Sequence, residues 1–224
     1  MKMKKAVLVL FAAVVFSCST VYAATDDFFA GMGRKFTRGL VNVLTGWVEL
    51  PMQTIKGYNR GFCGDENNKI GGSTCGFFKG IGHTIGRTAW GAVELVGFWT
   101  ANPEDNLGIG IPLDAEYAWE EGEPHDCCNP DFTEATIRPI SKKFLRGLGN
   151  SLFGFAELPG QIAKGFQEGA FDLGVGKGLW FWYSREIYGI ADLATLIFPV
   201  PEENAGYRFD EEYPWDALAD VMEE

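Results

Sequence analysis

KFTRGLVNVLTGWVELP, from Lys35 to Pro51, and KFLRGLGNSLFGFAELP, from Lys143 to Pro159, agree at 11 of 17 positions. The agreement continues beyond the quoted stretch. Gln53, Lys56, Gly57 and Gly61 recur 108 positions later as Gln161, Lys164, Gly165 and Gly169. After an insertion in the first copy the offset becomes 98: Lys79-Gly80 answers Lys177-Gly178, Arg87 answers Arg185, Gly91 answers Gly189 and Glu94 answers Asp192. NPEDN at Asn102 answers VPEEN at Val200, and DAEYAWE at Asp114 answers DEEYPWD at Asp210. A period this long predicts two related modules rather than one large domain. Residues 24–121 form the first, with a cysteine-bearing insertion at 62–75. Residues 122–133 link it to the second, at 134–224.

Each module reads as two or three helices followed by an irregular acidic tail. Phe36, Leu40, Val43 and Trp47 fall on one helical face, and Arg38, Asn42, Thr45 and Glu49 on another. Pro51 suits the first turn of a new helix, so a break is expected near Leu50, with a short second helix to about Tyr58. Phe77 to Trp99 is nearly apolar all round, with Lys79, His83, Arg87 and Glu94 as one narrow polar stripe. Gly80, Gly82, Gly86, Gly91 and Gly97 lie in it, each costing about 1 kcal/mol relative to alanine, which close helix approach would offset. Asn102-Pro103 and Val200-Pro201 are expected to end the long helices. Only NLGIGIPL, from Asn106 to Leu113, could form a short extended piece. The fold class expected is all-α: two tandem glycine-rich helical modules.

The chain opens on Lys2, Lys4 and Lys5, an apolar run from Ala6 to Phe16, and Val21-Tyr22-Ala23. That is a secretory signal peptide, residues 1–23, with cleavage expected after Ala23. The alternative, lipoprotein processing at Cys18, is disfavoured by Phe16. Loss of those three lysines from 19 basic residues leaves 16 against 30 acidic ones, a net charge of −14. So acidic a surface repels nucleic acid, and no dense basic run offsets it.

Export makes disulfides the default for Cys63, Cys75, Cys127 and Cys128. Adjacent Cys127 and Cys128 would pair only in a strained ring, so two bridges from the insertion to the linker are expected. A metal site built on His125, Asp126 and the two adjacent cysteines is the less favoured reading, because adjacent cysteines splay apart. No metal, cofactor or catalytic residue is expected. Nucleophile motifs are missing, and His83 and His125 are the only imidazoles. Glu49 with Glu157, and Glu94 with Asp192, are the one constellation suited to acid–base work. Buried carboxylates are more often held by arginine, here Arg38, Arg146, Arg87 and Arg185. Arg87 with Glu94, and Arg185 with Asp192, stand seven residues apart on one helix face and read as paired charges.

The aromatics Trp90, Trp99, Trp180, Trp182, Tyr183 and Tyr188 suit a membrane or partner surface, or else fill a bundle core. A spanning role is opposed by Arg87 and Arg185, which would cost about 2.5–3.5 kcal/mol each at mid-membrane.

The repeat core comprises Arg38, Gly39, Asn42, Gly46, Trp47, Glu49 and Pro51, then Arg146, Gly147, Asn150, Gly154, Phe155, Glu157 and Pro159. With the glycine-rich helix that follows, it resembles a small exported bacterial family associated with exosortase systems, whose members look like single modules. Phe155 in place of Trp47, and the cysteine-bearing insertion, depart from that pattern. The resemblance implies a Gram-negative envelope location and a link to exopolysaccharide or sorted surface proteins, and it supplies no catalytic residue. The expectation is therefore a non-enzymatic envelope protein working at a membrane surface, with a protein partner or by self-association. Two modules would then build within one chain the twofold pair that a single-module relative makes by dimerising. A carrier of lipid or another apolar ligand between the modules is the alternative, and a carboxylate-based glycan hydrolase the third.

Overall fold

The computed structural model describes residues 25–106, 113–120 and 137–223. Among them the protein is all-α. In the first half, α1 (Thr25–Thr45), a 3-10 turn (Gly46–Val48) and α2 (Glu49–Arg60) run back along α3 (Lys69–Val96). The second half repeats this order: α4 (Arg138–Phe153), a 3-10 turn (Gly154–Ala156), α5 (Glu157–Gln167) and α6 (Phe171–Ala194), closed by α7 (Asp216–Glu223). The expected break before Pro51 is the 3-10 turn. It tightens the chain so that Glu49, in the first turn of α2, faces inward.

Three boundaries differ from expectation. The long helix of the first half starts at Lys69, not Phe77, because Asn68 caps it: its side-chain oxygen accepts from the Gly71 N–H at 3.0 Å. The insertion therefore contributes turns to α3. Both long helices stop before their prolines, α3 at Val96 and α6 at Ala194. Gly97 is the C-cap of α3 and not an interior glycine. The segment expected to be extended lies mostly outside the described residues. In its place isolated bridges join the tails, Asn102 with Arg208 and Asp105 with Glu203.

Glycine sets the helix spacing. A Cβ at Gly57 would run into the Gly72 carbonyl, and one at Gly76 into the Gln53 carbonyl. Gly39 and Gly91 face each other, a Cβ on the first reaching 2.8 Å from the second's oxygen, and Gly147 and Gly189 repeat the arrangement. Backbones this close leave no room between them for large apolar side chains. Gly80 and Gly86 also meet backbone, of Leu50 and Pro199, whereas Gly82 meets nothing within 4 Å.

The consequence is an inverted distribution of polarity. Among the described residues 21 polar or charged side chains are buried against 11 hydrophobic ones, while 30 large hydrophobic side chains are exposed. On α1, Lys35, Arg38 and Asn42 point inward and Phe36, Leu40 and Leu44 outward. Of the apolar stripe of α1, Phe36, Leu40 and Trp47 lie on the outer face and Val43 is half-buried.

Cys63 is held at a left-handed φ of 53° and Cys75 lies in α3. Cys127 and Cys128 lie outside the described residues, as do His125, Asp126 and residues 1–24, with Cys18. Among the described residues no cluster of His, Cys, Asp and Glu could hold a metal ion.

Candidate functional site

Two arginines organise each half, and the partners cross between helices. Arg38 on α1 holds Glu94 on α3, with Nε 2.9 Å from Oε1. Arg87 on α3 holds Glu49 on α2, Nε to Oε1 2.8 Å, and its Nη1 donates to Asn42 Oδ1 at 3.1 Å. The second half reproduces every bond. Arg146 holds Asp192 at 2.9 Å, Arg185 holds Glu157 at 2.6 Å, and Arg185 Nη1 donates to Asn150 Oδ1 at 3.1 Å. The same-helix pairs inferred from spacing, Arg87 with Glu94 and Arg185 with Asp192, are not the ones made. Side chains seven residues apart stand two turns apart along the axis, too far for contact, while the facing helix is close.

The guanidiniums also seize the acidic tails. Arg87 donates to the carbonyls of Ala115 (3.0 Å) and Glu116 (2.6 Å), as Arg185 does to Glu211 (2.7 Å) and Glu212 (2.8 Å). Gln53 ties Glu49 to Asp114 (3.0 and 2.6 Å), and Lys79 Nζ reaches Asp114 at 2.9 Å. Gln161, Asp210 and Lys177 form the matching set. The aspartates that open DAEYAWE and DEEYPWD are thus anchors, missed in the sequence although their recurrence marked them. Beyond each anchor two rings stack: Tyr117 on Trp119 at 5.1 Å, and Tyr213 on Trp215 at 5.0 Å.

Burial pushes Glu94, Asp192 and Glu157 up from the ordinary carboxylate range, against the pull of their arginines. Asp114 goes down: burial opposes this, but the Lys79 ammonium and the Gln53 amide outweigh it. Glu49 and Glu157 are each bonded within their own half, and Glu94 and Asp192 each to an arginine of their own half, so neither expected pair meets as a dyad. His83 is buried with Nδ1 3.4 Å from the Gln53 amide nitrogen and 3.9 Å from Glu49, inside the same polar network.

The halves meet across a pseudo-twofold axis. Trp90 packs edge-on against Tyr188, its equivalent, with centroids 5.8 Å apart. Lys35 lies over Tyr188 and, reciprocally, Lys143 over Trp90. The tails exchange bonds in the same reciprocal way. Asn106 N–H donates to Glu202 O at 3.0 Å and Asn204 N–H to Glu104 O at 3.3 Å. Arg38 Nη1 donates to Glu203 O at 3.0 Å and Arg146 Nη1 to Asp105 O at 3.2 Å. The Tyr188 hydroxyl donates to Asn106 Oδ1 at 2.8 Å and faces Asn204 Oδ1.

Of the six aromatics singled out, Trp90 and Tyr188 are not on a surface, Trp99, Trp180 and Trp182 are half-buried, and Tyr183 is exposed. Trp90 and Tyr188 are buried at the axis. Trp99 stacks on Tyr183 at 5.2 Å, and Trp180 Nε1 donates to Trp99 O at 3.2 Å, both across the seam. Trp182 donates to Glu186 on its own helix. The outer surface is made instead by Leu44 and Trp47 (66 % exposed), their counterparts Leu152 and Phe155 (54 % exposed), and the outer faces of α3 and α6. Trp47, Phe155 and Pro51 of the repeat core face outward; Gly46 and Gly154 are buried beneath the turns.

No protein-family model, curated protein or solved structure matches this chain.

Proposed function

We propose that the chain is a non-enzymatic envelope component, exported by its N-terminal segment, that rests its apolar exterior on a lipid surface. The inverted burial carries this reading. Arginine–carboxylate pairs are buried inside, glycines bring backbones together, and leucine, isoleucine, phenylalanine and tryptophan face out. Water gives no reason for that arrangement, whereas an apolar medium does. No helix among the described residues is long and apolar enough to cross a membrane, which agrees with a surface seat rather than a span. The mid-helix arginines need not snorkel, because each is neutralised from the neighbouring helix.

The other readings find less support. A carrier would need space where Trp90, Tyr188 and Val200 pack together. A hydrolase would need carboxylates that are instead saturated by guanidinium and amide donors. Export to an oxidising compartment supports bridges from Cys63 and Cys75 to Cys127 and Cys128, stapling the insertion to the linker. The resemblance to exosortase-associated proteins extends the proposal to a role beside exopolysaccharide or sorted surface proteins.

Flotation of the chain lacking residues 1–23 with liposomes tests the reading. It should float, and still float at 1 M salt, roughly where screening leaves only apolar contact. Leu44→Glu with Trp47→Glu, both on the outer face, should reduce the floated fraction without unfolding the protein. A chain that stays at the bottom of the gradient would overturn the lipid seat and leave a protein assembly in its place.

A further inference from the structure

The seam between the halves buries two lysines that have no carboxylate within salt-bridge distance among the described residues. Lys35 Nζ donates to Thr100 O (3.1 Å), Thr100 Oγ1 (3.3 Å) and Asn102 Oδ1 (2.7 Å), beneath the Tyr188 ring of the other half. Its counterpart Lys143 donates to Thr195 O (3.0 Å) beneath the Trp90 ring, 5.2 Å from the centroid. Ammonium groups held only by neutral acceptors and ring faces are poorly compensated for the water they lose. We propose that these lysines make the seam a proton-sensitive latch, which closes more tightly as they lose their protons and loosens as they gain them.

The charges around each lysine agree. Lys35 faces Glu94 of α3 and Arg38 of its own helix, and these sit in a pair, so their fields largely cancel. Lys143 faces Asp192 of α6 and Arg146 of its own helix, again a pair. Tyr188 stays neutral, since burial drives its pKa well up. Burial lowers Lys35 from 10.5 to about 7 and Lys143 to about 8, Glu94 and Asp192 opposing and Arg38 and Arg146 assisting.

The direction follows from proton counting. Below about pH 7 both lysines are charged whether the seam is closed or open, so closure is insensitive to pH. Between those lowered values and 10.5 the open form holds protons that the closed form has shed. Raising the pH there favours closure, by up to about tenfold per lysine per pH unit.

Two measurements on the chain lacking residues 1–23 test the latch. With lysine labelled at 13Cε, the Lys35 and Lys143 resonances, assigned by Lys35→Met and Lys143→Met, should titrate near pH 7 and 8. If either of the two titrates above about 9, the proposal is overturned. With 5-fluorotryptophan, the Trp90 resonance, assigned by Trp90→Phe, should follow the same midpoints; a flat response overturns it as well. The K35M/K143M variant should lose the rise in urea midpoint that the wild type shows from about pH 7 to 10. Should that variant not fold, the two spectroscopic titrations of the wild type still separate a latch from a fixed seam.

Discussion

Arg87 shows why charge spacing along one helix misleads. Arg87 and Glu94 share a face of α3, yet each is bonded to another helix, and one network joins Glu49, Asn42, Gln53 and Asp114. Removing one partner strands a buried charge. Glu94→Gln should therefore destabilise the protein by about 3–5 kcal/mol, measured by urea unfolding. Arg38→Met with Glu94→Met should cost less than that single change, since no unpaired charge remains. Asp114 gives a pH signature. Its pKa is depressed, so its contribution is present above the ordinary value of 3.8 and is lost as the pH falls through the lower folded value. Asp114→Asn should destabilise at about pH 7 and flatten the loss of stability below about pH 4. The residues of this network were legible as a set, because the two copies retain Arg38, Asn42, Glu49, Gln53 and Asp114 together. Their pairing was not, because it depends on which helices face each other.

At the scale of elements, periodicity predicted the helices and left open which face of each turns inward. The apolar and polar stripes of α1 are both evident in the sequence, but the usual rule that apolar faces point inward fails for it. That rule presumes water outside and room for side chains inside. Glycine removes the room: where α2 meets α3, and α1 meets α3, backbone approaches backbone at Gly57, Gly76, Gly39 and Gly91. Alanine scanning separates glycines that pack from glycines that do not. Gly57→Ala and Gly76→Ala place a Cβ on a facing carbonyl oxygen and should destabilise by more than about 2 kcal/mol, in line with overpacked cores. Gly82→Ala, inside α3 with open space around it, should stabilise by up to about 1 kcal/mol on helix propensity alone. Equal effects at all three positions in thermal unfolding would mean that the helices do not approach as closely as described.

For the whole molecule, the repeated sequence motifs meet one another. NPEDN and VPEEN, at the ends of the two halves, form the antiparallel bridge at Asp105 and Glu203 and exchange amide bonds on both sides of it. Each half also lends an arginine to the other's tail. Bonds exchanged in this reciprocal way have the pattern of an isologous dimer interface, here formed between two halves of one chain. Coexpressed as 24–121 and 122–224, the halves should copurify in equal amounts. Tyr188→Phe leaves Asn106 Oδ1 without its hydroxyl donor and should weaken that association about tenfold. Trp90→Ala, which empties the axis, should abolish copurification. Exposed Trp119→Ala, away from the axis, should leave it intact. If Trp90→Ala copurified as well as the wild type, the contacts at the axis would not be what holds the halves together. The lysine latch would then have no seam to act on, while the apolar exterior and its lipid seat would stand unchanged.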